Sequence, residues 1–357
     1  MSGPEGEPPV AERFRRLIRD SGPISVQHFM GESNARYYAA RDPLGAAGDF
    51  VTAPEISQMF GELIGLALTD LWQRAGRPEP VHYVELGPGR GTLARDALRA
   101  MGQHGLAPQV HLVEGSPALR AVQQQAVPGA IFHEDLGSLP DGGPLLLVAN
   151  EFLDALPIRQ MVRTEAGWRE RTVGLDEARA FAFFAGSRPM DAAVPPDLAD
   201  AAPGTILETC PAAIGMVEEV ARLLVRRGGA ALFIDYGHAE PRTGSTLQAV
   251  RRHAKVDVFA APGEADLTAH ADFAAAAMAA EAQGARWLGT VEQGAWLLAL
   301  GLEQRAAALS ARFPARSEEL ASAVQRLAGA EQMGRLFKVL GLSAPEWSDL
   351  AGFPPAA

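Results

Sequence analysis

A single cysteine, Cys210, stands in a chain of 357 residues. No intramolecular disulfide and no cysteine-cluster metal site can therefore form. Lysine is nearly missing as well: Lys255 and Lys338 are the two present, and arginine supplies the rest of the 32 basic residues. Acids outnumber bases 43 to 32, for a formal net charge of −11. That balance is a poor match for a nucleic-acid backbone, and no nucleic-acid partner is expected. The eight histidines lack metal-ligand spacing: His133-Glu134-Asp135 has no second histidine four residues on, so no metal is expected. No apolar run approaches the roughly 20 residues of a membrane span. The first nine residues carry Glu5 and Glu7 and no apolar core, so neither a secretory nor a transit segment is expected and the chain reads as cytoplasmic.

What is present centres on His82 to Thr92 (His-Tyr-Val-Glu-Leu-Gly-Pro-Gly-Arg-Gly-Thr). The pattern predicts a buried strand over 81–86, a turn through Gly87, Gly89 and Gly91, and a helix from Thr92. Glycine lets the chain bend sharply and lets a ligand approach the main chain; a helix N-terminus then offers its amides. A dinucleotide fingerprint wants its third glycine where Thr92 stands. Here the glycines alternate and an acid, Glu85, precedes them. That variant suits S-adenosyl-L-methionine, which has no pyrophosphate and whose ammonium an acid at a strand end can hold.

The same logic runs along the chain. Strand 2 (109–113) ends in Glu114, placed to accept from both ribose hydroxyls. Strand 3 (130–133) leads to Asp135 and Leu136, an acceptor and an amide for the adenine. Strand 4 (144–149) is a continuous apolar run, as in a strand buried on both faces. It ends in Asn150-Glu151-Phe152-Leu153-Asp154, where the acceptor site of an open α/β sheet belongs. Strand 5 (230–234) ends in Asp235-Tyr236-Gly237-His238, a second polar cluster.

Around this core, 10–20 has helical spacing, and a helix is expected from Pro54 to about Arg74. The loop 41–52, with Asp49 and Phe50, is too rich in charge and aromatics for a plain linker. Residues 158–185 alternate like antiparallel strands, 186–204 read as a flexible crossing, and 303–327 as one helix. The expected division is a helical N-terminal lid, 1–75, and a core, 76–357, with insertions at about 158–204 (a β-hairpin) and 240–285.

Several runs together resemble the MidA family, in that family's order from about residue 24 to 340. They are the run from Tyr37-Tyr38 through Gly48-Asp49-Phe50-Val51-Thr52-Ala53-Pro54-Glu55-Ile56-Ser57, then Glu85-Leu86-Gly87-Pro88-Gly89-Arg90-Gly91-Thr92, Asn150-Glu151-Phe152-Leu153-Asp154-Ala155-Leu156-Pro157, Asp235-Tyr236-Gly237-His238, Asp266-Leu267-Thr268-Ala269-His270 and Met333-Gly334-Arg335-Leu336-Phe337-Lys338. The resemblance implies a class I S-adenosyl-L-methionine-dependent methyltransferase fold: Rossmann-like α/β, with a seven-stranded, mostly parallel sheet. It further implies methylation of a protein arginine, which in mitochondrial members lies on an NADH dehydrogenase subunit. This chain reads as a bacterial-type member.

A guanidinium is a poor nucleophile because its lone pair is delocalised, and carboxylates can orient it while leaving one nitrogen free. That work is expected of Glu151 and Asp154, with Asn150 positioning and His238 receiving the proton. Tyr38, Asp49, Phe50, Phe152, Asp235 and Tyr236 are expected to meet the substrate. A non-catalytic, cofactor-binding assembly chaperone and a methyltransferase for another substrate stay open, as does homo-oligomerisation.

Overall fold

The computed structural model describes residues 9–40, 52–251 and 254–354. Contacts divide the chain into two compact units. One comprises the described residues of Leu44–Leu153, Ile214–Ala239 and Phe273–Ala357; the other those of Met1–Pro43, Asp154–Ala213 and Glu240–Asp272.

The first unit contributes seven strands to its main sheet: β1 (His82–Leu86), β2 (Gln109–Val113), β3 (Ile131–His133), β4 (Leu145–Asn150), β5 (Gly229–His238), β6 (Arg286–Glu292) and β7 (Phe337–Ser343). Their hydrogen-bonded order is β6-β7-β5-β4-β1-β2-β3. Among these seven, all pairs are parallel except those of β7, which runs against both of its neighbours. β1 and β4 are buried along their whole length, as strands covered by helices on both faces must be. The strand order reverses between β1 and β4, the place where ligands of such sheets bind. Register pairs Leu86 with Val113 and Ala149, and Ile234 with Asn150. Glu85, Glu114, Asn150 and Asp235 are therefore brought to one end of the sheet.

The helix Gln58–Arg74 packs on Thr92–Gln103, the helix that follows the glycine turn. A Cβ on Gly65 would lie 2.4 Å from the carbonyl oxygen of Ala97, so only a glycine permits this crossing. This close pair ties residues 58–74 to the sheet unit, which corrects the expected boundary at 75. Helix Phe273–Ala282 packs on β6 and β7, so the second insertion ends earlier than expected.

Two expected helices are each two. Ser57 is extended (φ −162°, ψ 140°) and separates Ala53–Ile56 from Gln58–Arg74, capping the latter by accepting from Met59 N. Phe313 leaves the helical region (φ −132°, ψ 72°) ahead of Pro314 and separates Leu302–Arg312 from Ser317–Ala328. The ring of a proline disfavours helical backbone in the residue before it.

In the second unit, helices Val10–Ser21 and Val26–Ala40 accompany the antiparallel strands Arg159–Thr164, Gly167–Leu175, Phe181–Pro189 and Ile206–Thr209. A three-stranded sheet (Gln248–Arg251, Ala254–Val256, Asp266–Thr268) belongs to it as well. Its core holds Phe14, Phe29 and Phe181, with Phe259 packed against it and neighbouring rings 5.0–6.4 Å apart. Residues 186–204 are ordered rather than a flexible crossing. Met190 is buried with Trp168 and Leu207, and Leu198 accepts from the Trp168 indole at 3.1 Å.

Candidate active site

The turn after β1 owes its shape to three left-handed glycines, with φ of 58° at Gly87, 53° at Gly89 and 78° at Gly91. At Gly87 there is a second reason: an added Cβ would lie 2.7 Å from a ring carbon of Phe152. Phe152, expected to meet substrate, has its ring against the turn.

A cavity opens beside this turn. Glu85, Gly87, Pro88, Gly89, Arg90, Thr92 and Leu93 line it from β1 and the turn, Asn150 and Glu151 from the end of β4, and Thr52, Pro54 and Glu55 from the first short helix. Glu85 is 2% exposed, and the Tyr83 hydroxyl donates to it at 2.6 Å. Burial raises the Glu85 carboxyl to about 8 against the smaller, opposite pull of that hydrogen bond. Burial, with the Glu85 charge and hydrogen bond, raises the Tyr83 phenol as well. A buried acid of this kind ionises readily only when a cation joins it.

Glu151 takes a left-handed backbone, φ 51°, uncommon for a residue with a Cβ. Its carboxylate accepts from Ala53 N at 3.1 Å and from the Asn150 amide at 3.3 Å. The other atom of the Asn150 amide, Oδ1, is buried with no hydrogen-bond partner among the described residues. A buried acceptor left open at a cavity wall is a place for a donor from a ligand. Asp235 is fully buried, and its two oxygens accept from Leu153 N and Tyr236 N, each at 2.9 Å. It holds the turn after β4 through the main chain. Tyr236 packs edge-on to Phe337, centroids 5.5 Å apart. His238 is the half-buried last residue of β5.

Glu114 follows β2 as expected, and its carboxylate accepts from Ser116 N at 2.7 Å and from Gln123 at 3.2 Å. The same Gln123 amide donates to the Gly89 carbonyl at 2.7 Å. Gln123, fully buried on helix Pro117–Ala126, thus joins Glu114 to the glycine turn. Asp135 caps the short turn Leu136–Ser138 by accepting from Ser138 N at 2.9 Å, and Leu136 is buried beneath it. Asp154 and Tyr38 lie in the other unit, where the Tyr38 hydroxyl donates to Asp266 at 3.0 Å. Burial, then the Asp266 and Asp154 carboxylates, raise the Tyr38 phenol. Glu151, the expected partner of Asp154, belongs to the sheet unit. Asp49 and Phe50 lie outside the described residues.

Sequence reasoning missed Thr52, Glu55 and Gln123. Glu55 accepts from the Thr92 hydroxyl, a contact its place in the Asp49–Glu55 run could have suggested. It also missed a file of buried histidines. His82 Nδ1 lies 2.9 Å from His111 Nε2, His111 Nδ1 lies 2.9 Å from His133 Nε2, and His133 Nδ1 lies 3.1 Å from Ser138 Oγ.

A mostly parallel sheet with its last strand reversed, a glycine turn at the switch point and acids after successive strands define a class I S-adenosyl-L-methionine-dependent methyltransferase. The comparisons agree. Residues 63–291 match the family described as S-adenosyl-L-methionine-dependent methyltransferases, and the chain belongs to it. It is 34% identical to the mitochondrial protein arginine methyltransferase NDUFAF7 of Xenopus tropicalis, over 95% of this chain and 86% of that one. The human protein of the same name is also 34% identical, over 94% and 84%. A crystal structure from Burkholderia thailandensis with S-adenosyl-homocysteine bound superposes with a TM-score of 0.80 at 30% identity, covering 97% of this chain and 92% of that one. A second, native structure from the same organism gives 0.81 at 32% identity, covering 96% and 93%.

Proposed function

We propose that this methyltransferase acts on an arginine side chain of a protein, and that Glu151 is the group that orients the guanidinium. The observation that carries this is the left-handed Glu151, whose carboxylate stands with Asn150 on the wall of the glycine-turn cavity. Strain of roughly 1–3 kcal/mol persists where the surrounding structure has a use for it. The names of the relatives, at about a third identity over most of the chain, support the same acceptor. Glu85, the glycine turn and Glu114 would hold the donor, with Asp135 and Leu136 toward its adenine. Bound S-adenosyl-L-methionine supplies an electrophilic methyl group on a sulfonium.

The chain's own residues then have three tasks. Glu151 binds the guanidinium through two of its nitrogens, which keeps charge away from the third. Asn150 Oδ1 accepts a hydrogen from the attacking nitrogen and so fixes its direction. As the nitrogen–carbon bond forms and the sulfur–carbon bond breaks, the nitrogen loses a proton, for which His238 is the proposed acceptor. Holding the partners in line is the main source of rate in such a displacement. An NADH dehydrogenase subunit is the first acceptor to test, with the reaction in the cytoplasm.

The test is mass spectrometry of proteins from a deletion strain beside its parent. Loss of a methylarginine on one protein, restored by the wild-type chain and not by Glu151→Gln, is the expected result. An unchanged set of methylarginines would overturn the arginine assignment.

A further inference from the structure

The chain is acidic overall, yet one groove in the unit built from 10–40, 154–213 and 240–272 is basic. It encloses about 440 Å³. Arg15, Arg16 and Arg19 line it from helix Val10–Ser21, and Arg179 lines it from the turn between two strands, with Leu175 beside them. Glu12 and Arg13 complete the wall, and Arg13 is already paired with Glu32 at 3.1 Å. The spacing 12, 15, 16, 19 puts these side chains on one helix face.

Two further contacts shape the groove. The Arg15 guanidinium lies over the Phe181 ring, 4.7 Å from its centroid, which fixes it in place as a cation on an aromatic face. Arg19 donates to the Arg15 carbonyl at 3.2 Å. Arg179 sits at φ 61°, a strained position for a side chain this large. Among the described residues, Arg15, Arg16, Arg19 and Arg179 form no ion pair with a carboxylate. Four cations converging on one concavity repel one another unless an anion is supplied.

We propose that this groove docks an acidic segment of the protein substrate, an inference that rests on the substrate being a protein. Guanidinium groups pair with carboxylates in a planar, bidentate fashion. The concave shape suits a peptide better than a flat lipid surface, and no large apolar side chain is exposed on helix Val10–Ser21 to enter a bilayer.

Fluorescence anisotropy with a labelled oligo-glutamate peptide tests this without any methyl transfer, so failure here leaves the arginine assignment standing. Wild-type protein should bind the peptide, more weakly as salt is raised. Reversal of two exposed cations, Arg16→Glu with Arg179→Glu, should weaken binding by at least about tenfold. The lysine pair at the same positions should retain most of it. Reversal of Arg222 and Arg226, on the helix Pro211–Arg227, serves as the control and should leave binding unchanged. Unaltered S-adenosyl-homocysteine binding in every variant would show that each is folded. No peptide binding, equal loss in the control, or capture of anionic phosphatidylglycerol vesicles without capture of the peptide would each overturn the proposal.

Discussion

The main-chain N–H of Ala53 donates to the carboxylate of Glu151 at 3.1 Å. One residue comes from the short helix before the core and the other from the end of β4, and both are in the sheet unit. The bond aims a carboxylate that its own backbone holds under strain, and two substitutions separate the aim from the strain. Glu151→Gln keeps the shape and removes the charge. It should lower kcat by about 10²–10³, the scale of a lost electrostatic contact to the reacting group, with S-adenosyl-homocysteine affinity near wild type. Glu151→Gly relieves the left-handed backbone and should keep or raise the melting temperature while abolishing transfer. A Gly variant that melts well below wild type would show that the side chain is there for stability.

Phe152 against Gly87 makes a second test. An alanine at 87 meets two obstacles, the φ of 58° and the Phe152 ring 2.7 Å from its Cβ. Gly87→Ala should cost about 1–3 kcal/mol of stability and weaken cofactor binding, as read by denaturant unfolding and calorimetry. Adding Phe152→Leu should restore part of the stability, because it removes the clash and leaves the dihedral penalty. If the double variant is no better than the single one, the ring contact has no energetic weight.

The elements that the sequence made legible are those whose signal is local. β2 and the helix after the glycine turn fall where their apolar spacing and glycines put them. β4 announced itself as an unbroken apolar run. Glu85, Glu114 and Asn150 could be placed at one end of the sheet because the strands that carry or precede them run parallel. That signal has a limit at Asp235: a polar residue at a strand end looks the same whether it faces a ligand or holds its own turn, as Asp235 does through Leu153 N and Tyr236 N. Gln123 could not be seen, since helix periodicity says nothing about a side chain reaching the Gly89 carbonyl. Ser57 and Phe313 broke helices within otherwise helical patterns, one by a cap and one through the following proline. The second unit was hidden because its three chain segments are far apart in sequence.

Glu85 predicts how the cofactor site responds to pH. Ligand-free, its carboxyl sits at about 8 against an ordinary 4.5, so it is protonated at neutrality. A cationic ammonium placed beside it would expel that proton. Calorimetry in two buffers of different ionisation enthalpy should therefore find close to one proton released per S-adenosyl-homocysteine bound at pH 6.5, and few above pH 9. Affinity should rise with pH up to about 8 and then level. Tyr83→Phe removes the hydrogen bond that holds this carboxyl down and should push the whole profile to higher pH. The sign for stability is opposite: the protonated acid favours the folded chain, fully below pH 4.5, and the contribution is lost as pH rises through 8. Binding without proton release at pH 6.5 would rule out a neutral Glu85.

The histidine file predicts how stability falls in acid. Ser138 Oγ donates to the Asp135 carbonyl at 2.9 Å, so it accepts from His133 Nδ1. His133 Nε2 then accepts from His111 Nδ1, and His111 Nε2 from His82 Nδ1. All three rings are neutral Nδ1–H tautomers in this arrangement, and long-range ¹H–¹⁵N spectra should find three of them. Burial lowers all three rings, His111 to about 4, with neighbouring rings and Arg227 adding to the effect there. The unfolded chain takes up protons near 6.5 before the folded one does. Stability is therefore fully present above pH 6.5 and is lost as pH falls toward 4, at up to about 1.4 kcal/mol per pH unit for each titrating ring. His111→Leu should flatten that decline while costing about 1–3 kcal/mol at pH 7 for each neighbour left without its hydrogen bond. Urea unfolding at a series of pH values measures both effects. A His111→Leu profile as steep as wild type would show that acid lability lies elsewhere than in the three rings.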